Sequence, residues 1–456
     1  MLFRSVVNKI KTSLKLNFRD KKFFVLLLVV FIYLVVMLSY FRGRNDNYLK
    51  VNHMMYEDII NYYEMEYYSC LKRDIPEVVK DYHRYKLQVG KDIDLALKNG
   101  DEREFLLNRA RDRLLSWNKD TEFTSDWEEV QNTYDKRRLI PSPRQYYGKE
   151  YDEIRAKLDF PEFKDLKLMR KYTCPWETVP WIYLFNHDYE LLNKGLSNQT
   201  YCSTKPFSFI YNIFSKSFAL IIFIIALMLG SSGLGQARSE DYPKTELSIS
   251  HNRLSCYRRI FANNFITIIL ILLIPLLLMT LITGFAEGFD GISYPVLCNK
   301  KIMTGWEPDL ESYMTSLDPT QTTPIGLSHF IAIKGVSNIF ESIKFIPLWK
   351  YLLISFSLIL LGILFWLSLG YMISAIFKKT FVAQSVSIGI LVLSFIPGMI
   401  GAPFVNTVFD LPSLGNVGLI PAGYRLVTYW QVFTLYLVGT IIFNIIGYWR
   451  FSKQDI

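Results

Sequence analysis

Apolar and polar positions do not alternate along this chain; they fall into blocks. Six stretches of 19 residues or more carry no Asp, Glu, Lys or Arg: Phe23–Phe41, Ser217–Ala237, Ile260–Ala286, Tyr351–Phe377, a segment within Thr380–Phe409 and one within Leu426–Trp449. A hydrocarbon core of about 30 Å takes about 20 apolar residues of α-helix to cross. The runs are continuously apolar, so helices are indicated rather than a barrel, whose strands would alternate. A soluble core can hide one such run, but six leave little room for that reading. The pattern predicts an all-α polytopic membrane protein with six transmembrane helices. The first, 23–41, is read as uncleaved, because bulky residues from Met37 to Arg42 replace the small-residue pattern of a signal cleavage site.

Between the runs lie polar blocks of different character. Residues 42–206 are long enough for an extracytoplasmic domain, and the pattern there is mainly helical. Val78, Tyr82, Tyr85, Val89, Ile93 and Leu97 recur at helical spacing after Pro76, and Asn99-Gly100 predicts the stop. Asp101 with Glu104 predicts a cap that opens a helix over Glu102–Trp117. Past Ser142 the periodicity fades, and Trp176, Pro180 and Trp181 suit a membrane surface. Residues 207–456 form a five-helix transmembrane region. It has a loop at 238–261, an outer loop at 287–349 read as irregular with short helices, and another at 404–425. The apolar flank Ile396–Val408 holds Pro397, Gly398, Gly401 and Pro403, which predicts a broken or re-entrant helix.

Charge orients this layout. Residues 1–22 contain seven Lys or Arg against Asp20 alone, and positive flanks stay in the cytoplasm. Six crossings return the C-terminus to the same side, where Arg450 and Lys453 agree; Lys378 and Lys379, and the loop with Arg238, Lys244, Arg253, Arg258 and Arg259, agree as well. The net charge of +9 follows from this bias and gives no reason to invoke nucleic acid. Leu2, Phe3, Val6, Val7, Ile10 and Leu14 share one face, opposite Arg4, Asn8, Lys9, Lys11 and Lys15. That makes 1–22 a cytoplasmic helix lying on the lipid bilayer.

Cys70, Cys174, Cys202 and Cys298 fall on the outer side and Cys256 on the inner. The outer four fit either two disulfides, in any of three connectivities, or buried free thiols. Catalytic and cofactor motifs are missing from the sequence. There is no G-x-x-x-x-G-K-[ST], H-E-x-x-H or G-x-S-x-G, and His53, His83, His187, His251 and His329 are scattered. Gly230-Ser-Ser-Gly-Leu-Gly ends an apolar run and reads as small-residue packing or a helix stop, not as a nucleotide loop. The six cores have no Asp, Glu, Lys or Arg to relay protons or pair with ions, so a transporter of this kind would draw its driving force from elsewhere.

Three features resemble a known family. Leu247–Phe265 has the layout of a short cytoplasmic helix leading into the third span, with Ser250, Arg253, Leu254, Tyr257 and Arg258-Arg259 in place; a broken apolar segment precedes the last span; and the chain closes on Tyr448-Trp-Arg-Phe-Ser-Lys-Gln-Asp-Ile456. Together with six spans, these resemble the permease subunits of bacterial type-2 (type V) ABC exporters. The branch that exports sodium or antimicrobial peptides carries a large outer segment after the first helix, as here. The sequence departs from the family after the second span, where Glu240-Asp241 lead to Tyr-Pro-Lys-Thr and not to a Gly-Thr pair. The resemblance implies a multi-pass permease of the bacterial plasma membrane that is not itself an enzyme. It would work with a second permease copy or a homologous permease, and with two copies of a separate ABC ATPase carrying the ATP and magnesium. The ATPase-coupling residues it implies are Arg253, Leu254, Tyr257, Arg258, Arg259 and Ile260, with Leu254, Tyr257 and Ile260 as apolar anchors and Arg253, Arg258 and Arg259 as a basic rim on a helix over 248–261. A membrane receptor with a ligand-binding outer domain is the competing expectation.

Overall fold

The computed structural model describes residues 21–45, 48–122, 142–163, 178–239, 252–306, 324–327, 343–399, 410, 413–423 and 427–453. The helices are α1 (Lys21–Asn45), α2 (Tyr48–Leu71), α3 (Glu77–Asn99), α4 (Glu102–Glu122), α5 (Pro143–Tyr147), α6 (Glu150–Lys157), α7 (Thr178–Lys194), α8 (Pro206–Phe214), α9 (Phe218–Ser239), α10 (Arg253–Glu287), α11 (Lys300–Thr304), α12 (Leu348–Ile376), α13 (Thr380–Met399) and α14 (Tyr429–Ser452). Strands β1 (Pro295–Asn299) and β2 (Ile343–Pro347) pair between α10 and α12. The interfacial helix expected within 1–22 lies almost wholly outside the described residues. So do Cys174, Trp176 and residues 400–408 of the flank Ile396–Val408 where a broken helix was expected; its first four residues are the end of α13.

Five described helices are long and apolar enough to cross a membrane: α1, α9 over Phe218–Gly235, α10, α12 and α14. The expected sixth run supplies the shorter apolar helix Thr380–Ile396 within α13. The chain is therefore an all-α multi-pass membrane protein. α12 is the centre of the bundle: its buried face runs from Leu348 to Ala375, against α9 on one side and α14 on the other. The small-residue run in α9 packs and does not stop the helix. A Cβ on Gly230 would sit 2.5 Å from the Leu367 carbonyl oxygen, and one on Gly370 would sit 2.6 Å from the Leu227 carbonyl oxygen. Two backbones meet at this crossing, which only paired glycines allow. α10 has 35 residues, is longer than a bilayer needs, and contains the buried Pro275.

The helix ends sort by charge. Gly235 of α9 meets Thr380 of α13, Asn264 of α10 meets Tyr371 of α12, and Arg253 of α10 meets Ser452 of α14. This shared end carries Arg253, Arg258, Arg259, Lys378, Lys379, Arg450 and Lys453, with no Asp or Glu among its described residues. The opposite end of α1 packs Phe41 on Tyr201 and Phe209, where the polar segments gather.

Those segments share a core. α3 forms as its pattern predicts and ends at Gly100, whose φ of +67° is the left-handed cap position. Asp101 Oδ1 then accepts from the amides of Arg103 and Glu104 at 3.1 Å, opening α4. Tyr56, Val89, Ile93, Phe105 and Tyr183 of the first outer segment are buried in one cluster with Tyr294, Val296, Leu297, Ile325 and Leu327 of the second. Among the described residues of the 287–349 loop, α11 is a short helix of the expected kind, while a strand pair was not expected. β1 and β2 pair antiparallel, from Pro295 opposite Pro347 to Asn299 opposite Ile343. Both prolines sit at one end of the ladder, where a missing amide donor is tolerated.

Candidate functional site

The positions that the sequence marks for coupling lie at the start of α10. Asn252 caps the helix, its Oδ1 accepting from the Leu254 amide at 2.9 Å and the Ser255 amide at 3.4 Å. Helix 253–261 is continuous with the span; no separate interfacial helix appears among the described residues. Arg258 and Arg259 are exposed, while Arg253 and Leu254 are half-buried. Tyr257 and Ile260, two of the three expected apolar anchors, are buried against other helices of this chain. The physical reason is the phase of the helix: Cys256, Tyr257 and Ile260 share the face that α10 turns towards its neighbours.

Tyr257 is where three helices meet. Its ring packs on Tyr371 of α12 at 5.7 Å, and on Tyr448 and Phe451 of α14 at 6.0 and 5.7 Å. Its hydroxyl donates to Asn444 Oδ1 at 3.3 Å. Asn444 Nδ2 donates in turn to Ser368 Oγ at 2.6 Å and to the Thr440 carbonyl oxygen at 2.9 Å. Two turns further along α10, Asn264 Nδ2 donates to Tyr371 Oη at 2.7 Å, and a Cβ on Gly233 of α9 would meet both groups. Arg253 closes the edge by donating to the Ser452 carbonyl oxygen. Three helices, α10, α12 and α14, are thus joined by neutral hydrogen bonds, which in a membrane bind helices without the cost of burying charge. Sequence reading passed over Asn264, Ser368, Tyr371 and Asn444. The asparagines carry a usable signal, since each interrupts an otherwise apolar run.

The second polar constellation lies in the outer segment and is built from charges. Asp188 of α7 is fully buried. Arg109 of α4 grips it with Nε to Oδ2 at 2.8 Å and Nη2 to Oδ1 at 2.7 Å, and Arg113 pairs with the same carboxylate. Arg109 also donates to Asn198 at 3.0 Å, and Arg113 to the Leu184 carbonyl oxygen at 2.7 Å. Burial alone would raise the Asp188 carboxyl, but the two guanidiniums hold it well below the usual carboxylate range. One residue earlier, His187 is fully buried between Tyr294 and Phe345, with ring centroids 5.3 and 5.8 Å apart. Its Nδ1 lies 3.6 Å from Asp188, too far for a hydrogen bond, and neither ring nitrogen has a partner. Burial holds this imidazole below its ordinary range, against the pull of Asp188.

Next along α4, Asp112 accepts from Tyr63 Oη at 3.1 Å, and burial raises its carboxyl despite Lys86 and Arg113 nearby. Burial also acts to raise Glu66, but the Lys86 ammonium 2.8 Å away and a hydrogen bond from Tyr62 bring it below its ordinary value. Among the described residues, no group of His, Cys, Asp and Glu is arranged to hold a metal ion. Cys70, Cys202 and Cys298 remain unjoined thiols, so no disulfide forms among these three. Burial pushes the Cys298 thiol up to about 12 and raises that of Cys202, which keeps both protonated and unreactive.

No family model matches the chain, and neither a curated protein nor a solved structure is found similar to it.

Proposed function

We propose that this chain is the membrane-spanning permease subunit of an ATP-driven ABC exporter, moving a substrate out of a bacterial cell with energy supplied by separate ATPase subunits. The observation that carries the reading is the position of Tyr257. It ties the first turns of α10 to α12 and α14, so force applied at the Arg253 end reaches three helices together. The basic rim of Arg258 and Arg259 is exposed on the same turns and offers an acidic partner surface a docking point. A sixth crossing follows from connectivity in this reading. α13 starts beside Gly235 at the basic end, and α14 starts at the opposite end, where Trp430 stacks on Trp306. The chain has to cross between them. Six crossings place the basic end and both termini in the cytoplasm. Two such permeases, or this one with a homologue, would work with two ATPases that bind ATP and magnesium.

Tyr257 is buried, so its truncation would loosen packing as well as coupling. Arg258→Glu is the cleaner test. A tagged chain is recovered from its native membrane under mild detergent. An ATPase is expected to co-purify with the wild type, and Arg258→Glu with Arg259→Glu is expected to lower its recovery about tenfold or more at low salt, without changing thermal stability. If no ATPase accompanies the wild type, the exporter reading fails. The receptor reading then takes its place, supported by the core shared between the outer segments and the strand that leads straight into α12.

A further inference from the structure

The lipid-facing side of α14 ends in a feature that the coupling site does not use. Val438, Ile441, Ile442, Ile445 and Ile446 form an exposed apolar stripe, and the stripe runs into Trp449, which is 49% exposed. Lys453, one turn on, places its Nζ 4.1 Å from the Trp449 ring centroid, and the neighbouring Arg450 places its guanidinium at 5.2 Å. Neither cation makes an ion pair with any described residue, and the described part of this end has no acid. Trp430, 38% exposed, stands near the start of the same helix. The two tryptophans are 19 residues apart, or about 28 Å along the axis, close to the roughly 30 Å of a hydrocarbon core. Both indoles therefore sit at interface depth, where such rings collect.

From this we infer that Trp449, Arg450 and Lys453 form a binding site for the phosphate of an anionic phospholipid at the basic end of the bundle. The acyl chains lie along Val438–Ile446, the indole sits beneath the headgroup, and the two cations close on the phosphate from either side. Cations near a helix C-terminus also soften the helix dipole, but here both heads are drawn over the indole. That holds them at one depth, beside the apolar stripe. The inference depends on the chain spanning a membrane and not on its being an exporter.

The test uses the full chain in nanodiscs of phosphatidylcholine doped with phosphatidylglycerol. Either lipid can carry bromine on its acyl chains to quench nearby tryptophan. The Trp449 signal is the difference between the wild type and Trp449→Phe. Brominated phosphatidylglycerol should quench it at roughly 25-fold lower mole fraction than brominated phosphatidylcholine, with each of the two cations contributing about fivefold. Arg450→Gln with Lys453→Gln should abolish that preference, while Lys378→Gln with Lys379→Gln, at the same end, should leave it in place. Equal quenching by the two lipids would overturn the site. So would a preference that survives the Arg450/Lys453 pair of changes, or one lost equally with the Lys378/Lys379 pair, which would mean a general charge field and no site. A preference that appears only when an acidic protein partner is removed would assign the patch to that partner.

Discussion

The outer segment and the membrane bundle each bury polar groups, and they do it by opposite means. Between α4 and α7 the outer segment encloses whole charges, with Asp188 held by Arg109 and Arg113. Between α10, α12 and α14 the bundle encloses Tyr257, Asn444, Ser368, Asn264 and Tyr371, all neutral. The difference lies in the alternative open to each group. An outer helix that separates from its neighbour gives its charges back to water, so a charged layer makes the assembled state sharply distinct from the separated one. A membrane helix that separates meets lipid, where an unpaired charge is very costly and a hydroxyl or amide much less so. The outer layer therefore depends on complete pairing, while the bundle can lose one hydrogen bond and remain assembled.

The largest effect should come from breaking the charged layer. Asp188→Ala leaves Arg109 and Arg113 buried with no counter-charge, and should cost about 3–5 kcal/mol. The loss would show as early thermal unfolding, and as rapid proteolysis of the 48–194 region in the detergent-solubilised chain. Replacing Arg109, Arg113 and Asp188 together with apolar residues should recover most of it. If Asp188→Ala unfolds like the wild type, the layer is not a unit.

A smaller effect, and a pH-dependent one, should come from His187. Its folded pKa is lowered by burial, so the folded state favours the neutral ring. The unfolded chain takes up a proton near pH 6.5. The stabilising contribution of neutral His187 is therefore full above that pH and declines as the pH falls below it. His187→Phe should remove this acid-side loss, measured as the difference between the two melting-temperature profiles from pH 7.5 down to pH 5. Parallel profiles would show that His187 does not titrate across unfolding.

Smallest should be the bundle's own bonds. Asn444→Leu is expected to cost about 0.6 kcal/mol, the scale of a hydrogen bond between membrane helices. A cycle with Tyr257→Phe should give a coupling of the same size if the hydroxyl and the amide act on each other. A loss as large as that of Asp188→Ala would erase the contrast between the two regions.

How far this was legible in the sequence differs between the same regions. The spans declare themselves because each carries its own signal over about 20 residues. α3 does as well, since Tyr82, Val89 and Ile93 repeat on one face and Gly100 fixes the end. The charged layer does not, because Arg109 and Arg113 one turn apart on a helix look like an ordinary wet face until Asp188, 79 residues on from Arg109, is brought against them. β1 and β2 are hidden for the same reason: each is five residues long and meets its partner across more than 40 residues of chain. Tyr257 and Ile260 were visible as an apolar pair, but not which way they faced, because a partner protein and a neighbouring helix call for the same residues. One local signal was readable and passed over: Thr428 with Gln431 forms a reciprocal cap at the start of α14.

The unbroken length of α10 gives the bundle a mechanical character. From Arg253 to Pro275 the helix runs 22 residues with no break, about 33 Å of continuous hydrogen bonding. A helix joined to its span by a loop would absorb a push at its tip; this one is a rod and passes the push along its axis. At Pro275 the ring removes one rung of the ladder and crowds the carbonyl a turn before it. Stiffness drops there, at a buried position among the other helices. A push at the Arg253 end would therefore be spent as bending at Pro275, deep inside the bundle, and not at the surface.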